Sequence, residues 1–142
     1  MAMRREEMDA AVNEHFGFEA ADDLDGVMAS LAGEVEHEIV PSPVGVLHDK
    51  AKVRAYYAML FESVKGESVT PLRRYYGDDF IVDETLWQGE ISDGRPFLCD
   101  GKSGKVSFRL LHIFEFKDGQ IAREQAWCDL AAIQRQLGAT PR

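Results

Sequence analysis

Lys117-Asp118-Gly119-Gln120 constrains this chain more than any other stretch. An Asp-Gly pair between two runs of alternating aromatic, β-branched and polar residues predicts a two-residue hairpin, because both central positions need positive φ and few residues adopt it cheaply. The turn makes Lys105–Phe116 and Gln120–Cys128 adjacent antiparallel strands. With Lys117 opposite Gln120, uninterrupted pairing sets Phe114 against Arg123, His112 against Gln125, Leu110 against Trp127 and Phe108 against Asp129. Side chains alternate with period two, so these share one face. That face mixes large aromatic rings with His, Gln and Asp, the make-up of a mostly apolar pocket holding a few polar groups. The opposite face sets Arg109, Leu111, Ile113 and Glu115 against Ala122, Glu124, Ala126 and Cys128, and would meet helix or a partner subunit.

Upstream, the periodicity is helical first and extended later. Met8, Val12 and Phe16 recur at four-residue steps, which predicts an amphipathic helix over Met3–Phe16 stopped by Gly17. A second helix starts at Asp22 or Asp23 as N-cap, carries Leu24, Val27, Met28 and Leu31, and ends at Gly33. Val35–Ile39 alternates as a short strand closed by Pro41-Ser42-Pro43. The longest helix is expected from the Asp49 cap through Val53, Tyr56, Tyr57, Leu60, Phe61 and Val64 to Gly66. Strands follow over Val69–Tyr76 and Asp79–Ile91. Two Asp-Gly pairs and Pro96 then make Ser92–Gly104 a long loop and a candidate lid. Leu130–Leu137 reads as a terminal helix stopped by Gly138, with Ala139–Arg142 frayed. Helices grouped ahead of a run of antiparallel strands imply an α+β fold whose sheet curls around the helices, one domain over residues 1–142.

Charge narrows the partners. Asp and Glu number 25 against 16 Lys and Arg, a formal net charge of −9, which repels a nucleic-acid backbone and an anionic membrane alike. No apolar run reaches the length of a spanning helix, and no secretory leader precedes Met8, so the expected compartment is the cytoplasm. Cys99 and Cys128 are too few for a disulfide framework and read as reduced thiols.

Three places carry a family resemblance: Asp23-Leu24-Asp25-Gly26 ahead of a strand ending in prolines, the Phe114–Ile121 hairpin, and Trp127-Cys128-Asp129 running into Gln136-Leu137-Gly138. Together they resemble the SnoaL-like polyketide cyclase group of the nuclear transport factor 2 superfamily. The resemblance implies a cone-shaped α+β barrel with an interior cavity and a homodimer paired through the outer sheet face. It also implies cofactor-free acid/base chemistry, such as cyclisation, isomerisation or hydrolysis, on a small apolar carbonyl compound. Fold alone does not choose among these reactions, nor between an enzyme and a non-catalytic binding or dimerisation module.

The cyclases use an aspartate late in the last strand, which Asp129 resembles; His112 would assist by polarising a carbonyl or shuttling a proton. Asp129 also precedes Leu130 directly and is equally suited to capping that helix. The positions nearest the ketosteroid isomerase residues, His15, Ile39 and His112, match none of them, and Arg109 lacks the aspartate partner of limonene-type epoxide hydrolases. Trp127, Gln125, Tyr57, Phe108 and Phe114 are expected to line the pocket. His37 joins them through its face with Val35 and Ile39, and Asp83 through its face with Ile81 and Trp87. A metal on His37, His112 and Asp129 is not expected, since no His-x-His spacing supports one and three residues from distant strands are not evidence by themselves. No cofactor is expected either.

Overall fold

A computed structural model describes residues 2–138. Two helices, α1 (Arg5–Ala20) and α2 (Leu24–Ala29), lead into β1 (Leu31–Val40). Helix α3 (Lys50–Ser63) then precedes β2 (Val64–Tyr76) and β3 (Phe80–Ile91). A single 3-10 turn at Arg95–Phe97, β4 (Gly104–Lys117), β5 (Gln120–Cys128) and α4 (Leu130–Gln136) complete the order. The strands form one sheet in the order β1-β5-β4-β3-β2, antiparallel except for the parallel β1–β5 pair. Among the described residues no helix is long and apolar enough to cross a membrane.

The expected α+β architecture is present, and several elements begin or end elsewhere than expected. Helix α1 runs through Gly17 to Ala20. A mid-helix glycine costs about 1 kcal/mol, and packing of Phe16 and Phe18 against the core offsets it. Helix α2 stops earlier than its apolar spacing suggests, because Leu31, Gly33 and Val35 belong to β1. Asp23 caps α2 by accepting from the Gly26 N–H at 3.0 Å, and Asp49 caps α3 through Ala51 N–H at 2.8 Å. Strand β2 begins where α3 ends and carries Gly66 and Pro71 inside it. Inside a sheet a proline is confined to edges and bulges; β2 is an edge strand, and its ladder to β3 shifts register between Pro71 and Arg73.

The Ser92–Gly104 segment is a packed corner, not an open lid. Asp93 Oδ1 accepts from Arg95 N–H and Gly101 N–H at 3.0 and 3.1 Å, and Phe97 is buried beneath it. Val12, Val27, Val53, Tyr57, Ile81 and Phe114 anchor one apolar cluster, and Ile91, Phe97, Phe108 and Ile133 a second near α4.

The hairpin turn forms as expected, with Asp118 and Gly119 at φ of 52° and 78°. Lys117 pairs with Gln120 and Phe116 with Ile121, but the next pair is Glu115 with Arg123. Ala122 is an extra residue, a β-bulge. Beyond it Phe114 faces Glu124, His112 faces Ala126 and Leu110 faces Cys128. A one-residue slip turns every following side chain to the other face. The β4 half of the expected pocket face is therefore correct and the β5 half is inverted. The bulge keeps Arg123 off the concave side, where it would lie against Phe114, and lets it reach Glu115 at 2.6 Å and Glu36 at 3.3 Å.

Candidate functional site

A cavity of about 660 Å³ opens between the helices and the concave face of the sheet. Helix α1 gives it Phe16 and Glu19, β1 gives His37 and Ile39, and α3 gives Tyr56, Tyr57 and Phe61. The sheet adds Thr85, Trp87, Phe108, Leu110, His112, Glu124 and Cys128, and Phe97 closes one end. Solvent-exposed Asp22, Lys65, Glu67 and Ser68 mark the mouth. The volume suits a small organic molecule and the lining is mainly apolar.

Glu124 is the centre of the polar wall and is 1% exposed. The bulge turns it inward from β5, and four side chains converge on it. His15 Nε2 lies 2.9 Å from Glu124 Oε2, and the Tyr57 hydroxyl donates to Glu124 Oε1. His37 Nε2 stands 3.5 Å from Oε1 and His112 Nε2 stands 3.7 Å from Oε2. Glu19, one helical turn beyond His15, approaches His15 Nε2 at 2.9 Å and accepts from Tyr57 at 3.0 Å. His15 sits there because Met8, Val12 and His15 form the buried stripe of α1.

The charges follow from this packing. Burial alone would push the Glu124 carboxyl upward, but the charge and hydrogen bond of His15, with His37 and His112 behind, hold it well below the usual carboxylate range. Burial alone would also depress His15; the paired carboxylates of Glu124 and Glu19 outweigh it and raise its proton affinity well above that of a free imidazole. His37, without such a bond, follows burial downward and is neutral near pH 7. Burial and the two carboxylates push the Tyr57 phenol well up, so it remains a donor. Among the described residues His37 Nε2 and His112 Nδ1 are buried with no hydrogen-bond partner. The site thus holds a fixed carboxylate, an imidazolium and a phenol, with one nitrogen each of His37 and His112 left without a partner. His15, Glu19 and Glu124 also place one ligand atom each within 4.8 Å of the others.

Of the residues expected from sequence, His112, His37, Tyr57 and Phe108 do line the cavity. Phe114 lies just behind it, stacked on His112 at 5.3 Å between ring centroids. Asp83 points inward and is buried, but it is held by Arg74 Nε at 2.8 Å, and Arg74 in turn reaches Asp9 at 2.9 Å. It pins α1 to the sheet and is not part of the cavity wall. Gln125 and Trp127 are on the far side of β5. Gln125 donates to Glu38 at 2.6 Å and accepts from Trp127 Nε1 at 2.8 Å, while Trp127 is 45% exposed.

Asp129 does not join His112. It is exposed, lies beside a shallow outer depression with Arg109 and Trp127, and accepts from Ala132 N–H at 3.2 Å as the N-cap of α4. Asp129→Ala should therefore lower stability by about 1 kcal/mol in urea unfolding. Asp129→Asn, which can still cap, should leave both stability and cavity chemistry unchanged.

Two residues central to the wall, Glu124 and Glu19, were not apparent from the strand and helix patterns, and His15 only as a mismatch. Met8 and Val12 did point to His15, since buried helix positions step by three as well as four.

A family model described as a SnoaL-like domain matches residues 12–124. No curated protein matches the sequence. Among solved structures, TsrD from Streptomyces laurentii is 23% identical, with 97% of this chain and 99% of that one covered and a TM-score of 0.76. A protein from Jannaschia titled a putative SnoaL-like polyketide cyclase is 16% identical over 99% of each chain, with a TM-score of 0.79. An epoxide hydrolase from M. tuberculosis is 18% identical over 92% of this chain and 89% of that one, with a TM-score of 0.71. At these identities the likeness concerns the fold.

Proposed function

The chain belongs to the SnoaL-like domain family, and from that premise we propose that its cavity binds a small, largely apolar, carbonyl-bearing molecule and performs acid/base chemistry on it. The observation that carries the reading is Glu124: a fully buried carboxylate ringed by His15, His37, His112 and Tyr57 on the wall of an otherwise apolar cavity. A purely structural core would not place three imidazoles there, since each buried polar group must be satisfied or costs free energy.

In the proposed step the neutral imidazole of His37 takes a proton from the carbon next to the ligand's carbonyl. Glu124, 3.5 Å away, stabilises the imidazolium that forms. His112, across the carboxylate, donates a hydrogen bond to the oxygen of the resulting enolate, and the His37 imidazolium returns the proton. Aldol-type cyclisation and isomerisation begin with that carbon proton, whereas in a hydrolysis the same base would take its proton from the attacking water; structural relatives bear names of a polyketide cyclase and of an epoxide hydrolase. Pairing of two copies through the outer sheet face belongs to the same proposal.

A panel of small ketones in D2O, followed by NMR, tests it. The protein should accelerate exchange of the protons next to the carbonyl, and His37→Gln should remove roughly 10²–10⁴-fold of that acceleration. Exchange no faster than in the His37→Gln protein would sink the catalytic reading. Cys128 reports occupancy independently. Its thiol lines the cavity and burial pushes its pKa up to about 11, so alkylation should be slow at neutral pH, rise towards pH 11 and slow further when a ligand fills the cavity. Protection of Cys128 without proton exchange would favour a binding module.

A further inference from the structure

The polar wall has a second property that does not rest on turnover of any substrate. His15 Nε2 lies 2.9 Å from Glu19 Oε1 and 2.9 Å from Glu124 Oε2. Ligands of a zinc-like ion sit about 2.0–2.2 Å from it, hence about 2.8–3.1 Å from a neighbouring ligand in octahedral arrangement and about 3.3–3.6 Å in tetrahedral arrangement. The two distances from His15 fall in the octahedral range, and all three ligand atoms lie within 4.8 Å of one another, so an ion could be seated by side-chain movement alone.

The tautomer of His15 is set from behind. The Ser30 hydroxyl donates to Val27 O at 2.6 Å, so its oxygen accepts from His15 Nδ1–H at 2.7 Å. The Nε2 lone pair is thereby directed at the two carboxylates, where it must carry either a proton or a metal. A ligating histidine whose other nitrogen donates to an oxygen is the usual outer-shell arrangement of metal sites. An independent observation points the same way. His37 is 1% exposed, and its Nε2 has no hydrogen-bond partner although it lies 3.5 Å from Glu124 Oε1. A cation seated between them would bond to both, with His37 in the tautomer that carries its proton on Nδ1.

The geometry points to a site for a divalent first-row transition ion of the zinc type at the cavity wall, with His15, Glu19 and Glu124 as ligands and His37 positioned to complete the set. Two carboxylates and neutral imidazole suit such an ion by charge and by donor type. His15 is separated from Glu19 by one helical turn, and Glu124 comes from a strand made available by the bulge, so the site was not visible as a sequence motif.

Metal-stripped, tag-free protein titrated with Zn²⁺ by calorimetry, and with Co²⁺ by visible absorption, tests this. One ion per chain is expected, with a rise in melting temperature at saturation. Glu19→Gln is the decisive variant, since Glu19 is 24% exposed at its side chain and its loss leaves the His15–Glu124 pair intact. It should weaken binding on the order of tenfold or more, and His15→Gln likewise. Asp129→Asn should bind as the unaltered chain does. Absence of stoichiometric binding would show that His15 carries a proton only and would overturn the proposal, as would unchanged affinity in folded Glu19→Gln. The ketone exchange assay, run on metal-free protein in EDTA, is read without the ion, so the two readings fail separately.

Discussion

Glu124→Ala should cost about 3–5 kcal/mol of folding stability, the usual result of removing one partner from a buried ion pair. The cost comes mainly from what stays behind: an imidazolium at His15 and a phenol at Tyr57, both buried and left with the partly exposed Glu19 as their one carboxylate partner, beside a cavity where Glu124 had been. Against a typical net stability of about 5–15 kcal/mol this is a large fraction, and part of the protein would be unfolded at moderate temperature. Glu124→Gln should be milder, at about 1–3 kcal/mol, because the amide can still accept from Tyr57 and its NH2 can donate to His15 once that ring is neutral. Both variants should lose ketone proton exchange, since neither stabilises a charged His37. Urea unfolding in EDTA measures the stabilities. A loss below 1 kcal/mol in Glu124→Ala would mean that the carboxylate is not desolvated against His15 in solution.

The contrast with Asp129 shows what the sequence could and could not reveal. The hairpin turn, the caps at Asp23, Asp49 and Asp129, and the inward face of Val35 and His37 are local, and propensity and period located them. The inner face of β4, with Phe108, His112 and Phe114, followed from alternation and was also legible. The bulge at Ala122 was not, because a single extra residue leaves no mark on composition and inverts everything after it. It exchanged Arg123, Gln125 and Trp127 for Glu124, Ala126 and Cys128 on the concave side, and so moved the acidic centre from Asp129 to Glu124. A hint was present in the side chains themselves. Uninterrupted pairing would have set the Arg123 cation against Phe114, whereas the bulged register puts small Ala126 and Cys128 against His112 and Leu110. The convergence of α1 with β5, which joins His15 to Glu124, is a long-range contact that no window of sequence contains.

The same cluster sets how stability should vary with pH, and three groups determine the shape in metal-free protein. His15 binds its proton more tightly folded than unfolded, starting from an ordinary value of 6.5. Its contribution is fully present below that value and is lost as pH rises from 6.5 through the raised folded pKa. His37 behaves oppositely. Burial lowers its proton affinity from 6.5, so as pH falls below 6.5 the unfolded chain takes up a proton that the folded one refuses, and stability drops. Glu124, depressed from 4.5, adds a further loss as pH falls below that value. Stability should therefore peak near pH 6.5, decline gently to pH 4.5 and more steeply below it, and decline again on the alkaline side. Urea midpoints from pH 4 to 9 in EDTA trace this curve, and two variants separate its limbs. His37→Gln should flatten the slope between pH 4.5 and 6.5 while leaving the alkaline limb, and His15→Gln should remove the alkaline limb whatever its overall cost. A curve that rises or falls monotonically, or an alkaline limb that survives His15→Gln, would show that His15 is not the imidazolium partner of Glu124.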